Sequence, residues 1–496
     1  MRSSGVLMHL SSLPSDYGIG SMGRAAREFV DFLADAGQSY WQLLPICPTS
    51  YGDSPYQSFS TFAGNPYFID LDELCRDGLL LRKEYADVDW ESEPDCVNYG
   101  ALYQKRYAIL RLAAARFAQK PDPHFSDFCR RNGDWLEDFA LFMALKDAHG
   151  GAAWSHWEPK LRTRQPEALA AARQQYTGDV EFWKIVQFLF FRQWDALRAY
   201  ANEKGVSIIG DMPIYVSLDS ADVWAEPKLF QLDGDLSPRE VSGCPADGFS
   251  ADGQLWGNPL FDWDYMAADG YRWWVRRIGY LCGVYNVLRI DHFRGFDSYY
   301  AIPNGAQSAK DGHWRKGPGM ALFRAVEQAI GKQQIIAEDL GFLTDSVRKL
   351  LRDSGFPGMK VLLLAFDGRD DSGHDYLPHN LNACCVAYIG THDNDTVQGW
   401  MASANPVDAA FAKEYLHLTQ EEGYHWGMMR GLWSSAAGLT VVQAQDLLGL
   451  GSESRMNVPS SVGSNWRWRA LPGAFTPELA GRLHRAMEVY DRLPQK

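Results

Sequence analysis

The stretch "NVLRIDHFRGF", residues 286–296, decides how the chain is read. Asn286, Val287, Leu288 and Ile290 have the character of a short buried strand. Arg289, Asp291, His292 and Arg294 then place two cations, a carboxylate and an imidazole at its polar end. Alternation along a strand puts Arg289 and Asp291 on one face, two residues apart. An apolar strand ending in such a cluster asks what the neighbouring strands end in.

Working outward, "SGVLMHL" (4–10), the helical spacing of "GRAAREFVDFLADAG" (23–37) and "YWQLLPI" (40–46) read as strand, helix, strand. "VSIIGDMPIYV" (206–216), "QQIIAEDLG" (333–341), "GMKVLLLAF" (358–366) and "ACCVAYIGTHDNDT" (383–396) are further strand candidates, with helices expected at 269–283, 319–331, 343–353 and 407–447. "ESRMNVP" (453–459) reads as a last short strand. Eight candidates, near residues 6, 43, 208, 288, 336, 362, 388 and 456, predict an α/β fold, a (β/α)8 TIM barrel with large helical and loop insertions. Residues 1–496 then form one catalytic barrel. Residues 70–200 form a mostly helical insertion, and 217–265 a loop insertion over the cleft. Only about 35 residues follow the last strand candidate, too few for a C-terminal β-sandwich. The loop 48–68 is long, almost uncharged and rich in Tyr, Phe, Ser and Gly. Such a loop in a compact domain is usually functional.

Composition narrows the partners. A net charge of −14 and no basic run argue against nucleic acid. No apolar stretch approaches the ~18 residues of a membrane span, and the start has no signal-peptide pattern. Eight scattered cysteines without a CxxC pair suit a reducing, cytoplasmic compartment and no structural zinc. No glycine fingerprint for a dinucleotide or P-loop follows any strand, so no cofactor is expected. The 18 Trp and 23 Tyr suit sugar stacking as well as core packing.

In barrels of this kind the strand C-termini gather around one mouth. Here they deliver Asp211, then Arg289 and Asp291, then Glu338 and Asp339, then His392, Asp393, Asn394 and Asp395. Several carboxylates without an obvious Ser, Cys or Lys nucleophile suit two chemistries. One is metal-assisted hydrolysis, with "THDNDT", Glu338 and Asp291 around a divalent ion. The other is glycosyl transfer through two carboxyls. The uncharged, aromatic loops around the strand ends favour the second.

At this point the residues resemble a known family, the 4-α-glucanotransferases called amylomaltases or disproportionating enzymes (glycoside hydrolase family 77), relatives of α-amylase. The resemblance rests on "SSGVLMHLSSLPSDYGIGSMG", "SPYQSFSTFAGNPYFIDLD", "GDMPIYVSLDSADVW", "LWGNPLFDW", "RIDHFRGF", "IIAEDLG", "GMKVLLLAF", "GTHDNDT" and "RMNVPSSVGSNWRWR", in that order along nearly the whole chain. It implies Asp291 as nucleophile, Glu338 as general acid and base, and Asp393 as the carboxylate gripping the 2- and 3-hydroxyls. It implies Arg289, His392, Asp211 and Tyr56 around the first sugar, Asn457 as a late-loop contact and Trp256 as a lid aromatic. It further implies α-1,4-glucan or maltooligosaccharide substrates, no metal, and a monomer or weak homodimer.

Physical expectations accompany these roles. Arg289 is expected to hold Asp291 ionised, and burial beside Asp291 to raise the pKa of Glu338. Asp339 should point to the opposite side from Glu338, His292 should pack, Asp395 should orient its loop, and His9 should be a satisfied core histidine. Trp466 and Trp468 are expected in the core. A hydrolase of the amylase type is the alternative to a transferase. It shares the covalent intermediate and differs in admitting water. A binding protein with a dead site is a third reading, opposed by the presence of all three carboxylates.

Overall fold

A computed structural model describes residues 2–246, 250, 252–341, 343–368 and 371–494. Eight parallel strands close a barrel: β1 (Ser3–Leu7), β2 (Tyr40–Gln42), β3 (Ser207–Met212), β6 (Val287–Ile290), β9 (Ile335–Ala337), β10 (Gly358–Val361), β11 (Cys385–Tyr388) and β12 (Leu439–Gln443). β12 returns to pair with β1, matching Leu7 to Gln443. The strands are short and buried on both faces, as expected where side chains fill the barrel inside and helices cover it outside. Gly210 on β3 is needed for that packing, because a Cβ there would lie 2.2 Å from the Tyr285 ring.

Seven of the eight strands lie where the sequence placed them. The eighth does not. It is "LTVVQ", Leu439–Gln443, inside the span read as helical, and "ESRMNVP" is instead a 3-10 turn and loop. Helices Pro406–Leu416 and Tyr424–Ser434 precede it and Ala444–Leu447 follows. A short strand buried on both faces has no alternation to separate it from a helix segment. Among the described residues no strand follows Gln443.

The stretch read as a loop insertion also differs. β4 (Glu240–Cys244) and β5 (Gln254–Pro259) pair within it, and β4 joins β7 (Ser298–Pro303), which pairs with β8 (His313–Lys316). The result is a four-stranded antiparallel sheet beside the mouth, in the order β5-β4-β7-β8. The part of that reading that falls on residues 247–249 and 251 lies outside the described residues.

Between β2 and β3 the chain is mostly helical and ends in the 27-residue helix Thr177–Glu203. Two buried glutamines of this helix hold the long loop from behind. Gln187 exchanges hydrogen bonds with the backbone of Gly64 at 2.7 and 2.9 Å, and Gln193 does the same with Asp70 at 2.7 and 3.1 Å. Buried Arg277 donates to Thr61 Oγ1 and to the carbonyls of Pro213 and Ile214. These bonds satisfy a loop backbone that has no ladder of its own. They hold the loop carrying Tyr56 over the strand ends. Among the described residues no helix is long and apolar enough to cross a membrane.

Candidate active site

The register of β3 and β6 sets Asp211 opposite Arg289. The Arg289 Nη1 donates to both Asp211 oxygens, at 2.7 and 2.6 Å, and to Asp291 Oδ1 at 3.0 Å. Its Nε approaches the Met359 sulfur at 3.3 Å. Arg289 and Asp211 side chains are closed off, at 4% and 0% exposure, whereas Asp291 remains 28% open. Tyr56 completes this group from above, donating its hydroxyl to Asp211 Oδ2 at 2.7 Å.

Asp291 follows Ile290, and Ile290 is matched to Ala337 on β9. Glu338 therefore follows the neighbouring strand at the same level, one strand spacing of about 4.8 Å away. Both Glu338 oxygens accept backbone N–H groups at 2.7 Å, Oε2 from His292 and Oε1 from Leu340. His292 can aim its N–H there because it sits in the left-handed region, φ 51° and ψ 47°. That conformation is uncommon for a residue with a Cβ and marks a site held by its surroundings.

One expectation needs correcting. Arg289 does not hold Asp291 low by itself. Burial pushes the Asp291 carboxyl well up, Arg289 pulls it down, and Asp211, Glu338 and Asp393 push it up again. The guanidinium is shared, and Asp211 has its two shortest contacts. Burial likewise raises Glu338 against the pull of Arg289 and of its two backbone donors. Asp291 and Glu338 thus form a coupled pair that retains protons more strongly than separate carboxyls would.

Across the mouth, Asp393 Oδ1 accepts from Asn457 Nδ2 at 2.6 Å and lies 3.4 Å from His392 Nε2. The Asp393 side chain is 36% exposed, open to an incoming ligand. The His392 ring stacks on Tyr56, with centroids 5.0 Å apart at 18°. Burial lowers the His392 pKa, opposed by Asp393, so the ring is neutral. Asn457 is placed by its own N–H, which donates to the His392 carbonyl at 3.1 Å. Trp256, on β5, meets His292 edge to face at 4.9 Å.

Asp339 turns away as expected, accepting from Met359 N at 2.6 Å. Asp395 accepts from Ser452 Oγ at 2.7 Å and from Thr396 N at 2.8 Å, tying its loop together. Trp466 is buried, yet it also walls the site, with its ring 5.8 Å from Tyr56 and 5.7 Å from His392. His9 departs from expectation, because its buried Nδ1 has no hydrogen-bond partner. Asp446 was missed. It is buried and accepts from Val397 N at 2.7 Å. The backbone N–H of His292 was missed too, since residue type carries no signal for a main-chain donor. Among the described residues no group of three or more His, Cys, Asp or Glu side chains is placed to hold a metal ion.

A (β/α)8 barrel with interlocked carboxyls at its strand ends is the architecture of barrel enzymes whose chemistry sits at the C-terminal mouth. The chain matches the sequence profile of the 4-alpha-glucanotransferase family over residues 8–473, and it belongs to that family. It is 48% identical to the 4-alpha-glucanotransferase of Clostridium butyricum over 98% of this chain and all of that one. The corresponding protein of Thermus thermophilus is 46% identical, over 99% of both chains. The amylomaltase from Streptococcus agalactiae, solved in complex with acarbose, superposes with a TM-score of 0.97 at 41% identity, covering both chains fully.

Proposed function

We propose that the protein is a 4-α-glucanotransferase that moves α-1,4-glucan segments from a donor to an acceptor maltooligosaccharide or glucose by a retaining double displacement. The observation that carries this reading is that Asp291 and Glu338 directly follow the paired strand-end residues Ile290 and Ala337, with Arg289 joined to Asp291.

In the first step the Asp291 carboxylate attacks the anomeric carbon and the glycosidic C–O bond breaks. Glu338 gives its proton to the departing oxygen. In the second step the 4-hydroxyl of an acceptor attacks the glucosyl ester, its proton passes to Glu338, and Asp291 leaves as a carboxylate. Burial raises both carboxyls, and of the two Asp291 is assigned the charge, because it is the more open one and the one hydrogen-bonded by Arg289. Glu338 carries the proton, and one of its backbone contacts loosens as the carboxyl turns toward the glycosidic oxygen. Retaining enzymes set these carboxyls ~5–5.5 Å apart, consistent with adjacent strands at one level.

Asp393 grips the sugar 2- and 3-hydroxyls, oriented by Asn457. Arg289, Asp211, Tyr56 and His392 wall the first sugar, and Trp256 offers a face to the acceptor. That the Streptococcus agalactiae relative was solved in complex with acarbose supports an oligosaccharide ligand for this protein. The long loop and the four-stranded sheet flank the mouth and shield the ester from water. Cytoplasmic residence is part of the reading, supported by eight free cysteines.

Maltotriose tests the proposal. Purified protein should convert it to glucose and a ladder of longer maltooligosaccharides. Shortening without any lengthening would establish the amylase-type hydrolase instead.

A further inference from the structure

A small cavity lies under the His392 side of the mouth, walled by His9, His392, Gln443, Gln445, Met456 and Trp468. Its polar lining is unusual. His9 Nδ1 and Gln443 Nε2 are both buried without a hydrogen-bond partner, in residues only 6% and 2% exposed. The two residues are brought together by the barrel closure. Gln443 ends β12 opposite Leu7 of β1, and His9 follows Leu7 by two residues. Burial, and after it His392, lowers the His9 pKa to about 3, so the ring is neutral at working pH, with one nitrogen donating and the other accepting. A buried polar atom left unpaired is destabilising, and native interiors relieve this with ordered water that takes two to four polar partners.

The His392 ring above this floor is weakly fixed by its own hydrogen bonds. Its Nδ1 lies 3.5 Å from the Tyr56 hydroxyl and its Nε2 3.4 Å from Asp393 Oδ1, both beyond good hydrogen-bond length. Stacking on Tyr56 sets the plane of the ring, but not how deep it sits.

We propose an internal water site bridging His9 and Gln443 beneath His392, which makes His9 and Gln443 positioning residues for the His392–Asp393 side of the sugar subsite. Neither touches the reacting atoms. They act by setting the height of the His392 ring, and through it the approach of Asp393 to the sugar hydroxyls. This inference rests on the transferase reading above.

The test uses full-length protein, with His9→Leu, Gln443→Leu, the double variant, and His9→Asn, which keeps a polar partner for the water. Transfer from maltotriose gives kcat and KM, and thermal melting gives Tm. Each leucine variant should lose about tenfold in kcat, the scale of a misplaced positioning group, with KM changed less than about twofold. The double variant should lose no more than either single one, because both remove the same water, and His9→Asn should recover most of the loss. Full wild-type kcat in both leucine variants overturns the proposal. So do losses that multiply in the double variant, or a kcat loss that follows Tm and is not recovered by asparagine. A high-resolution crystal structure of the wild-type protein is the second measurement. Density for a water within hydrogen-bond distance of His9 and Gln443 supports the site, and a dry cavity overturns it even if the variants fold poorly. Failure of the wild-type protein to lengthen maltotriose would instead strike the functional reading and leave the crystallographic test standing.

Discussion

The two sides of the barrel mouth are built differently. Around β3, β6 and β9 the carboxyl cluster is tightly bonded, although His292 Nε2 and Tyr215 Oη nearby are buried without a partner. Arg289 is tied to Asp211 and Asp291, Tyr56 to Asp211, and both Glu338 oxygens to backbone N–H groups. Around β1, β11 and β12 the contacts are mixed, with Asn457 held to Asp393 at 2.6 Å but several others long or missing. His392 has partners at 3.4 and 3.5 Å, and His9, Gln443 and Asp446 each leave a buried atom unpaired. In the proposed reaction the first side would fix charge where bonds break, and the second would grip the sugar hydroxyls. Substitutions on the first side should therefore be nearly all-or-none, and those on the second graded.

The largest expected effect is that of Asp291→Asn. Transfer from maltotriose should fall by several kcal/mol of barrier, on the order of 10³-fold or more. Circular dichroism should stay native, because Asn preserves the shape and can still meet Arg289. Substantial residual turnover in a clean preparation would remove Asp291 from the nucleophile role. Glu338→Gln comes next, with a loss on the order of 10²–10⁴-fold for natural glucans. Donors with a leaving group that needs no proton should lose far less in their first step. Equal losses for both donor types would break the assignment of Glu338 as proton donor.

On the graded side, Asn457→Ala should cost about ten- to a hundredfold in kcat/KM, because it removes one hydrogen bond to the Asp393 carboxyl, about 1.5–3 kcal/mol. If Asn457→Ala instead matched Asp291→Asn, the contrast between the two sides would be lost. Tyr56→Phe crosses between them. It removes the hydroxyl bonded to Asp211 but keeps the ring that stacks on His392, so it should cost less than Tyr56→Ala in kcat/KM.

The smallest effect concerns stability. Burial raises the Asp446 carboxyl to about 7, so between the ordinary carboxylate range and that value the folded state binds a proton that the unfolded chain has released. Its contribution to stability therefore falls as pH rises from about 4 toward 7, and then levels. Asp446→Asn keeps an acceptor for the Val397 N–H and cannot ionise. Its Tm should exceed that of the wild type at pH 8 by on the order of 2 °C, and the gain should shrink toward pH 5. A gain independent of pH would place the effect elsewhere.

Much of this was legible in the sequence, and particular residues show why. Strand ends announce themselves when an apolar run stops in charge, as at Asp211, Asp291, Glu338 and Asp393. Alternation put Arg289 beside Asp291 and turned Asp339 from Glu338. The eighth strand was hidden because "LTVVQ" is buried on both faces and flanked by helices. The sheet beside the mouth was hidden because its pairing joins β4 and β5 to β7 and β8, which follow β6 in the chain. Trp466 read as core because it and Trp468 alternate with Arg467 and Arg469, and its ring is indeed buried at 5% exposure, although it walls the candidate site as well.

The sequence by itself determined which chemical groups the barrel presents, since residue type and strand period are local properties. Only the tertiary structure decided how those groups share charge. Arg289 has one guanidinium, and the register of β3 against β6 gives its closest contacts to Asp211 rather than Asp291. A backbone N–H has no identity in the sequence, and the left-handed turn at His292 makes it a partner of Glu338. Closure of β12 onto β1 brings Gln443 beside His9 from opposite ends of the chain. Register, backbone conformation and closure belong to the whole fold, because each depends on residues dozens to hundreds of positions apart meeting at a few ångströms.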